Sequence, residues 1–164
     1  MRGMVWGALA LLAGCAHQSV PESAPGTVDV SAIACKDALQ PEQRVDLEMV
    51  DTLMAKGRNY AALAQLESKP MSAIDHWLRY GQLLAASGKL DEAEQVYRTL
   101  ANRCDDGRSR HGLGMVLLKR HEVMAALSHL ERARSLAPAT SQVRNDYGYA
   151  LMLVGRYEDA AFEL

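Results

Sequence analysis

Five histidines and three cysteines are the residues of this 164-residue chain best suited to chemistry, and their spacing argues against most of it. His17, His76, His111, His121 and His129 include no H-x3-H pair, the spacing that sets two ligands on one helix face, so no metal site is expected. His111-Gly112-Leu113-Gly114 superficially matches a glycine-rich oxyanion loop, but no Gly-x-Ser-x-Gly nucleophile turn accompanies it. No phosphate-cradling loop occurs, and Met115, Met124 and Met152 read as packing residues rather than cofactor ligands. The expectation is a chain with no cofactor and no catalysis. A formal net charge of −2 gives no global reason to expect nucleic acid.

The elements that would position these residues repeat. Trp77-x2-Tyr80-Gly81-x2-Leu84 is followed by Gly88 and Ala93; Leu113-Gly114-x2-Leu117 by Ala126; Tyr147-Gly148-x2-Leu151 by Gly155 and Ala160. The anchor glycines are 33 and then 34 residues apart, and each leads its alanine by 12. A fixed period in this range marks stacked supersecondary units. Apolar positions recur at three and four, which predicts helices at 42–56, 60–68, 72–87, 90–102, 107–120, 122–136, 140–154 and from 157 onward. Gly57, Lys69-Pro70 and Pro138 break the blocks, and Ser72 with Asp75 has capping-box spacing. The glycines let the second helix of a pair approach the first, with the alanines as the facing surface. Gly88, His121 and Gly155 occupy equivalent turns and are expected in the left-handed region. The fold class is thus all-α, and a stack of helix pairs presents a groove, which favours binding over chemistry.

These residues resemble tetratricopeptide repeats, whose pattern runs W-x2-L-G-x2-Y, then A, an aromatic, A and P. The likeness covers roughly 42–164: a degenerate unit at 42–72, repeats at 74–106 and 107–140, and an incomplete one at 141–164. It implies a helical solenoid whose first helices line a concave face through fixed positions. In the first repeat these are Asp75, Leu78, Gln82, Ala85 and Ala86. The second gives Arg108, His111, Met115, Leu118 and Lys119, and the third Gln142, Asn145, Tyr149, Met152 and Leu153. Gln82, Arg108, His111, Met115, Lys119, Gln142, Asn145, Tyr149 and Met152 are the expected protein-binding residues, suited to an extended peptide or amphipathic helix. Packing inside the superhelix is the plainer role for Leu118, Met152 and Leu153. A solenoid needs its last apolar face covered. The stop inside the last helix therefore suggests either a fragment of a longer protein or an end covered by a partner or another copy.

The first residues read as an address. Arg2 precedes the short apolar run 4–12, far below the ~20 residues a spanning helix needs. Leu12-Ala13-Gly14-Cys15 resembles a bacterial lipobox, which implies a signal peptide at 1–14 and acylation of Cys15. Ala16, rather than Asp, implies the periplasmic face of the outer membrane. Residues 15–41 form the acylated cysteine and a tether; some 16 flexible residues would hold the domain ~20–25 Å from the bilayer. With Cys15 lipidated, Cys35 and Cys104 remain as an even pair in an oxidising compartment. They are either bridged, pinning the segment before the first helix, or two buried thiols.

Charge is uneven. Residues 98–144 hold nine Lys/Arg against four acids, whereas 21–97 hold seven against twelve. Solvated helix faces account for this, or a basic middle repeat that meets an acidic partner segment or anionic lipid. The closing stretch from Arg144 to Ala160, behind a lipobox, is similar to the TadD-type lipoproteins of Tad/Flp pilus machinery. That implies a scaffold assisting a secretin or pilus assembly component. Type IV pilus pilotins and adaptor lipoproteins for peptidoglycan enzymes share the same architecture.

Overall fold

The computed structural model describes residues 29–31, 33–35 and 38–164. The expected signal peptide, Cys15 and most of the tether lie outside them. Eight helices follow: α1 Pro41–Ala55, α2 Asn59–Glu67, α3 Ile74–Ala86, α4 Leu90–Cys104, α5 Gly107–Lys119, α6 Val123–Leu136, α7 Ser141–Leu153 and α8 Tyr157–Glu163. Consecutive helices pair, and each pair packs on the next. The described residues form no strand, only one isolated bridge between Ala34 and Ala73.

Each hairpin turns through a residue with positive φ: Gly57 at 68°, Gly88 at 81°, His121 at 63° and Gly155 at 78°. The N–H groups of Arg58, Lys89, Glu122 and Arg156, each one residue later, bond back to Leu53, Leu84, Leu117 and Leu151. This closes four orphaned helix carbonyls in the same way four times. Asp105 at 42° is a fifth left-handed residue, between repeats, where no glycine signalled it. Ser72 and Asp75 do not form the expected capping box. Helix α3 is capped at Ala73, which is extended and has no side-chain cap. The Ser72 carbonyl instead accepts the Ala34 N–H at 3.0 Å. A box does form at α1, where the Gln40 N–H donates to the Gln43 side chain at 2.9 Å.

The glycine contacts differ in detail from the glycine-to-alanine expectation. A Cβ on Gly114 would fall 2.6 Å from Leu130 Cγ and 3.3 Å from the Ala126 carbonyl. One on Gly148 would fall 3.0 Å from Leu164 and 3.4 Å from the Ala160 carbonyl. The tightest neighbour is therefore the bulky side chain one turn beyond each alanine. In the first repeat that residue is Tyr97, only 6% exposed. One edge of its ring meets Gly81 on α3, where a Cβ would sit at 2.8 Å, and the other meets Gly112 on α5, at 2.3 Å. Its hydroxyl donates to the Leu78 carbonyl at 3.0 Å. Gly112 is thus explained by packing inside a helix.

The core runs along the whole stack in two clusters, both touched by Leu118. Residues 29–31 and 33–35 lie against the start of α3 and the end of α4. Ile33 is buried, Cys35 is bonded to Cys104 with Cα atoms 5.3 Å apart, and Arg103 donates to the Val30 carbonyl at 3.1 Å. In the last pair Glu163, 7% exposed, accepts from Arg134 at 3.0 Å and Arg144 at 3.1 Å, tying α8 to α6 and α7.

Three outcomes follow from this packing. Gly112→Ala forces a methyl into the Tyr97 ring and lowers stability by about 1–3 kcal/mol in denaturant titration. Reducing the bridge, which spans 69 positions, removes roughly 4 kcal/mol on the loop-entropy account; an unchanged unfolding midpoint in reductant would contradict it. Burial holds the pKa of His76 below its ordinary 6.5, with Arg79 adding and Asp75 and Asp46 opposing. The unfolded chain therefore takes up that proton first as pH falls. This stability contribution is complete above 6.5 and declines as pH falls toward the folded value. His76→Phe should flatten that part of the pH–stability curve.

Candidate protein-binding groove

The first helix of each pair faces one side of the stack, and a groove of about 580 Å³ opens between α3 and α5. Its floor is Tyr97, Gly112, Leu78 and Met115, and its rims reach Asp51 on α1 and Gln142 on α7. The glycine at 112 is what lets the Tyr97 ring lie in that floor. Six of the expected binding residues are brought together here: Gln82, Arg108, His111, Met115, Lys119 and Gln142. Asn145, Tyr149 and Met152 are not among its lining residues; they are exposed on α7. The reason is geometric, since this groove is walled by the facing sides of α3 and α5 and α7 supplies only its first turn.

Charged side chains stitch the groove wall across repeats. Arg79 holds Asp51 through two contacts of 2.7 Å, from Nε and Nη2, and also donates to the Asp75 carbonyl at 3.0 Å. Arg108 reaches Asp75 at 2.8 Å, and His111 Nε2 lies 2.6 Å from Asp146 Oδ2. Links therefore run α1–α3, α3–α5 and α5–α7 along the concave side. Asp51 and Arg79 occupy none of the face positions that the repeat pattern assigns. What betrays them in hindsight is only their opposite charge on neighbouring first helices.

Asp106 caps α5, accepting the backbone N–H groups of Arg108 at 2.8 Å and Ser109 at 3.4 Å as well as the Arg108 guanidinium. Burial pushes its carboxyl up, but the Arg108 hydrogen bond and charge outweigh that and hold it below the usual carboxylate range. Arg108 is thus engaged on two sides. Lys119 differs: its ammonium donates only to the Ala85 carbonyl, at 3.3 Å, and meets no carboxylate among the described residues. Gln82 and Gln142 are exposed on the same face. The groove therefore offers amide groups and one ammonium beside an apolar floor, with most of its other charges already paired.

Among the described residues no three His, Cys, Asp or Glu side chains converge as a metal site would require. No described helix is long and apolar enough to cross a membrane.

Comparison with known proteins agrees with this geometry. The tetratricopeptide-repeat family model matches residues 111–164. A solved structure of MamA superposes with a TM-score of 0.56 at 18% identity, covering 70% of this chain and 69% of that one. The architecture is a tetratricopeptide-repeat solenoid. YrrB, described as a tetratricopeptide-repeat protein with an unusual peptide-binding site, superposes with a TM-score of 0.54 at 22% identity over 72% of this chain and 63% of its own. A tetratricopeptide-repeat-containing protein of Pseudomonas aeruginosa is 34% identical over 154 residues, 94% of this chain. The chain spans 59% of the length of that relative.

The two kinds of cation in the groove should separate on substitution. Arg108→Ala removes the Asp75 and Asp106 contacts and lowers stability by about 1 kcal/mol, whereas Lys119→Ala stays within about 0.5 kcal/mol of the parent in thermal unfolding.

Proposed function

We propose that the chain is a non-enzymatic scaffold that takes an extended segment of a partner protein into the groove between α3 and α5. The observation that carries this reading is Lys119: an exposed ammonium with no carboxylate partner among the described residues, beside the amides of Gln82 and Gln142 and above an apolar floor. Such a face can accept backbone carbonyls and an acidic side chain while Leu78 and Met115 cover apolar ones. The peptide-binding site named for YrrB supports the reading by likeness of fold.

In this proposal the scaffold is tied by lipid at Cys15 to the periplasmic face of the outer membrane. There it assists a Tad/Flp pilus apparatus, with the secretin or a pilus assembly component as partner. The lipobox Leu12–Cys15 and the closing stretch 144–160 support it. The disulfide between Cys35 and Cys104 fits an oxidising compartment.

Affinity capture on detergent-extracted chain, from envelopes of the source cell, tests the partner. Recovery of a secretin or pilus subunit, lost with Lys119→Glu at unchanged helicity, is the expected result. Murein hydrolases in their place would favour a peptidoglycan adaptor, and undiminished capture by Lys119→Glu would move the site off the groove. The mass of the mature N-terminus tests the anchor separately: a Cys15 without fatty acid ends that part.

A further inference from the structure

The second-helix layer carries a cluster of cations that the groove does not use, and it surrounds the place where the N-terminal segment joins the solenoid. Residues 29–31 and 33–35 are fixed to the end of α4 by Cys35–Cys104 and by Arg103, which donates to the Val30 and Ser31 carbonyls. Next to Cys104, a single carboxylate, Asp105, is shared by Arg110 from α5 and Arg132 from α6. Further back on α4, Arg98 pairs with Glu94, which Arg120 also holds at 3.3 Å. His129 on α6 belongs to the same surface: burial lowers its pKa, and the charges of Arg110 and Arg98 lower it further. Arg98, Arg110 and Arg132 thus draw on two carboxylates, Glu94 and Asp105, while Arg103 meets only backbone carbonyls. The side chains of Arg98 and Arg132 remain 52% and 50% exposed. Along the groove, by contrast, Asp51, Asp75 and Asp146 set a carboxylate against each of Arg79, Arg108 and His111.

We propose that this corner of α4 and α6 is a second membrane contact, which docks the solenoid on anionic phospholipid headgroups. The inference rests on the lipid-anchor reading. A chain acylated at Cys15 reaches Asp29 after 14 residues, on average roughly 20 Å from the bilayer at ~5–6 Å × √n. The surface at the attachment point is then held at high local concentration against the headgroups. An acidic peptide would satisfy the same charges, but it gains nothing from the tether, and the coincidence of tether and cations is what favours lipid. The contact also orients the molecule. The arginine surface lies on the second-helix layer and the groove on the first, so docking leaves the groove open to a partner on the far side.

Vesicle co-sedimentation of the full chain tests this, with phosphatidylcholine alone against phosphatidylcholine mixed with phosphatidylglycerol. Comparing the two cancels the apolar contribution of the N-terminal run, and the variants below, which keep Arg2, cancel its charge. The anionic lipid should raise binding, and molar salt should abolish the increment. Arg98→Ala with Arg132→Ala should reduce it at least ten-fold, at about five-fold per cation near the surface. Binding to the neutral vesicles should not change. Asp105 keeps Arg110 in the double variant; Arg98→Ala alone, which removes only a pair within one helix, gives a milder version should the double variant misfold. No increment in the parent, or the same increment in the variants, overturns the proposal. So does a poly-glutamate peptide that binds the parent while the vesicles show no increment, since that assigns the surface to an acidic polypeptide. A Cys15 found unacylated with the increment intact would sink the anchor reading and leave this surface standing.

Discussion

The ring of Tyr97 has one edge on Gly81 of α3 and the other on Gly112 of α5. Interiors pack at near-crystalline density, so three helices meeting on one ring tolerate no added methyl on either side. The phenol hydroxyl cannot stay unbonded at that depth, and it donates to the Leu78 carbonyl. That single placement fixes the spacing of α3 and α5, which is also the width of the groove. Floor and joint are the same residues, so the stability of the stack and the shape of its concave face cannot vary independently.

The same arrangement recurs with aliphatic residues. Leu130 covers Gly114 and Leu164 covers Gly148, each against the carbonyl of the repeated alanine. Only in the first repeat is the covering residue aromatic, and only there does a second glycine, Gly112, receive it from the next repeat. The result is a groove walled mainly by α3 and α5, to which α1 and α7 add Asp51 and Gln142. Charge follows the same division. The concave side is laced by links from carboxylates to Arg79, Arg108 and His111, from α1 to α7, whereas the second-helix layer gathers arginines around two shared carboxylates.

Much of the architecture was legible in the chain because it repeats. Glycine and alanine at a constant interval, and apolar residues at three and four, act locally, and each unit confirms the next. Positive φ at Gly88, His121 and Gly155 followed from equivalence of position, even though histidine is an unusual residue for it. What misled was the local cap at Ser72. A spacing rule cannot register that Ala34, 38 residues earlier, comes back to bond its carbonyl. Asp105 was missed for a like reason, since nothing in its neighbours demands a left-handed turn.

For the groove, the repeat register brought forward Gln82, Arg108, His111, Met115, Lys119 and Gln142, because side-chain direction on a helix is a matter of counting. Asn145, Tyr149 and Met152 satisfy the same count but do not wall the groove, since a cavity needs a second helix opposite. The sequence alone determined the helices, their pairing and the polar character of one face, all of which depend on periodicity within about 35 residues. Tertiary structure decided which charges are already spoken for. Arg79 closes on Asp51, Arg108 on Asp75 and His111 on Asp146, while Lys119 is left to a carbonyl. Those pairings join residues 28 to 35 positions apart and depend on how two helices lean together, a quantity that packing sets and no short pattern records.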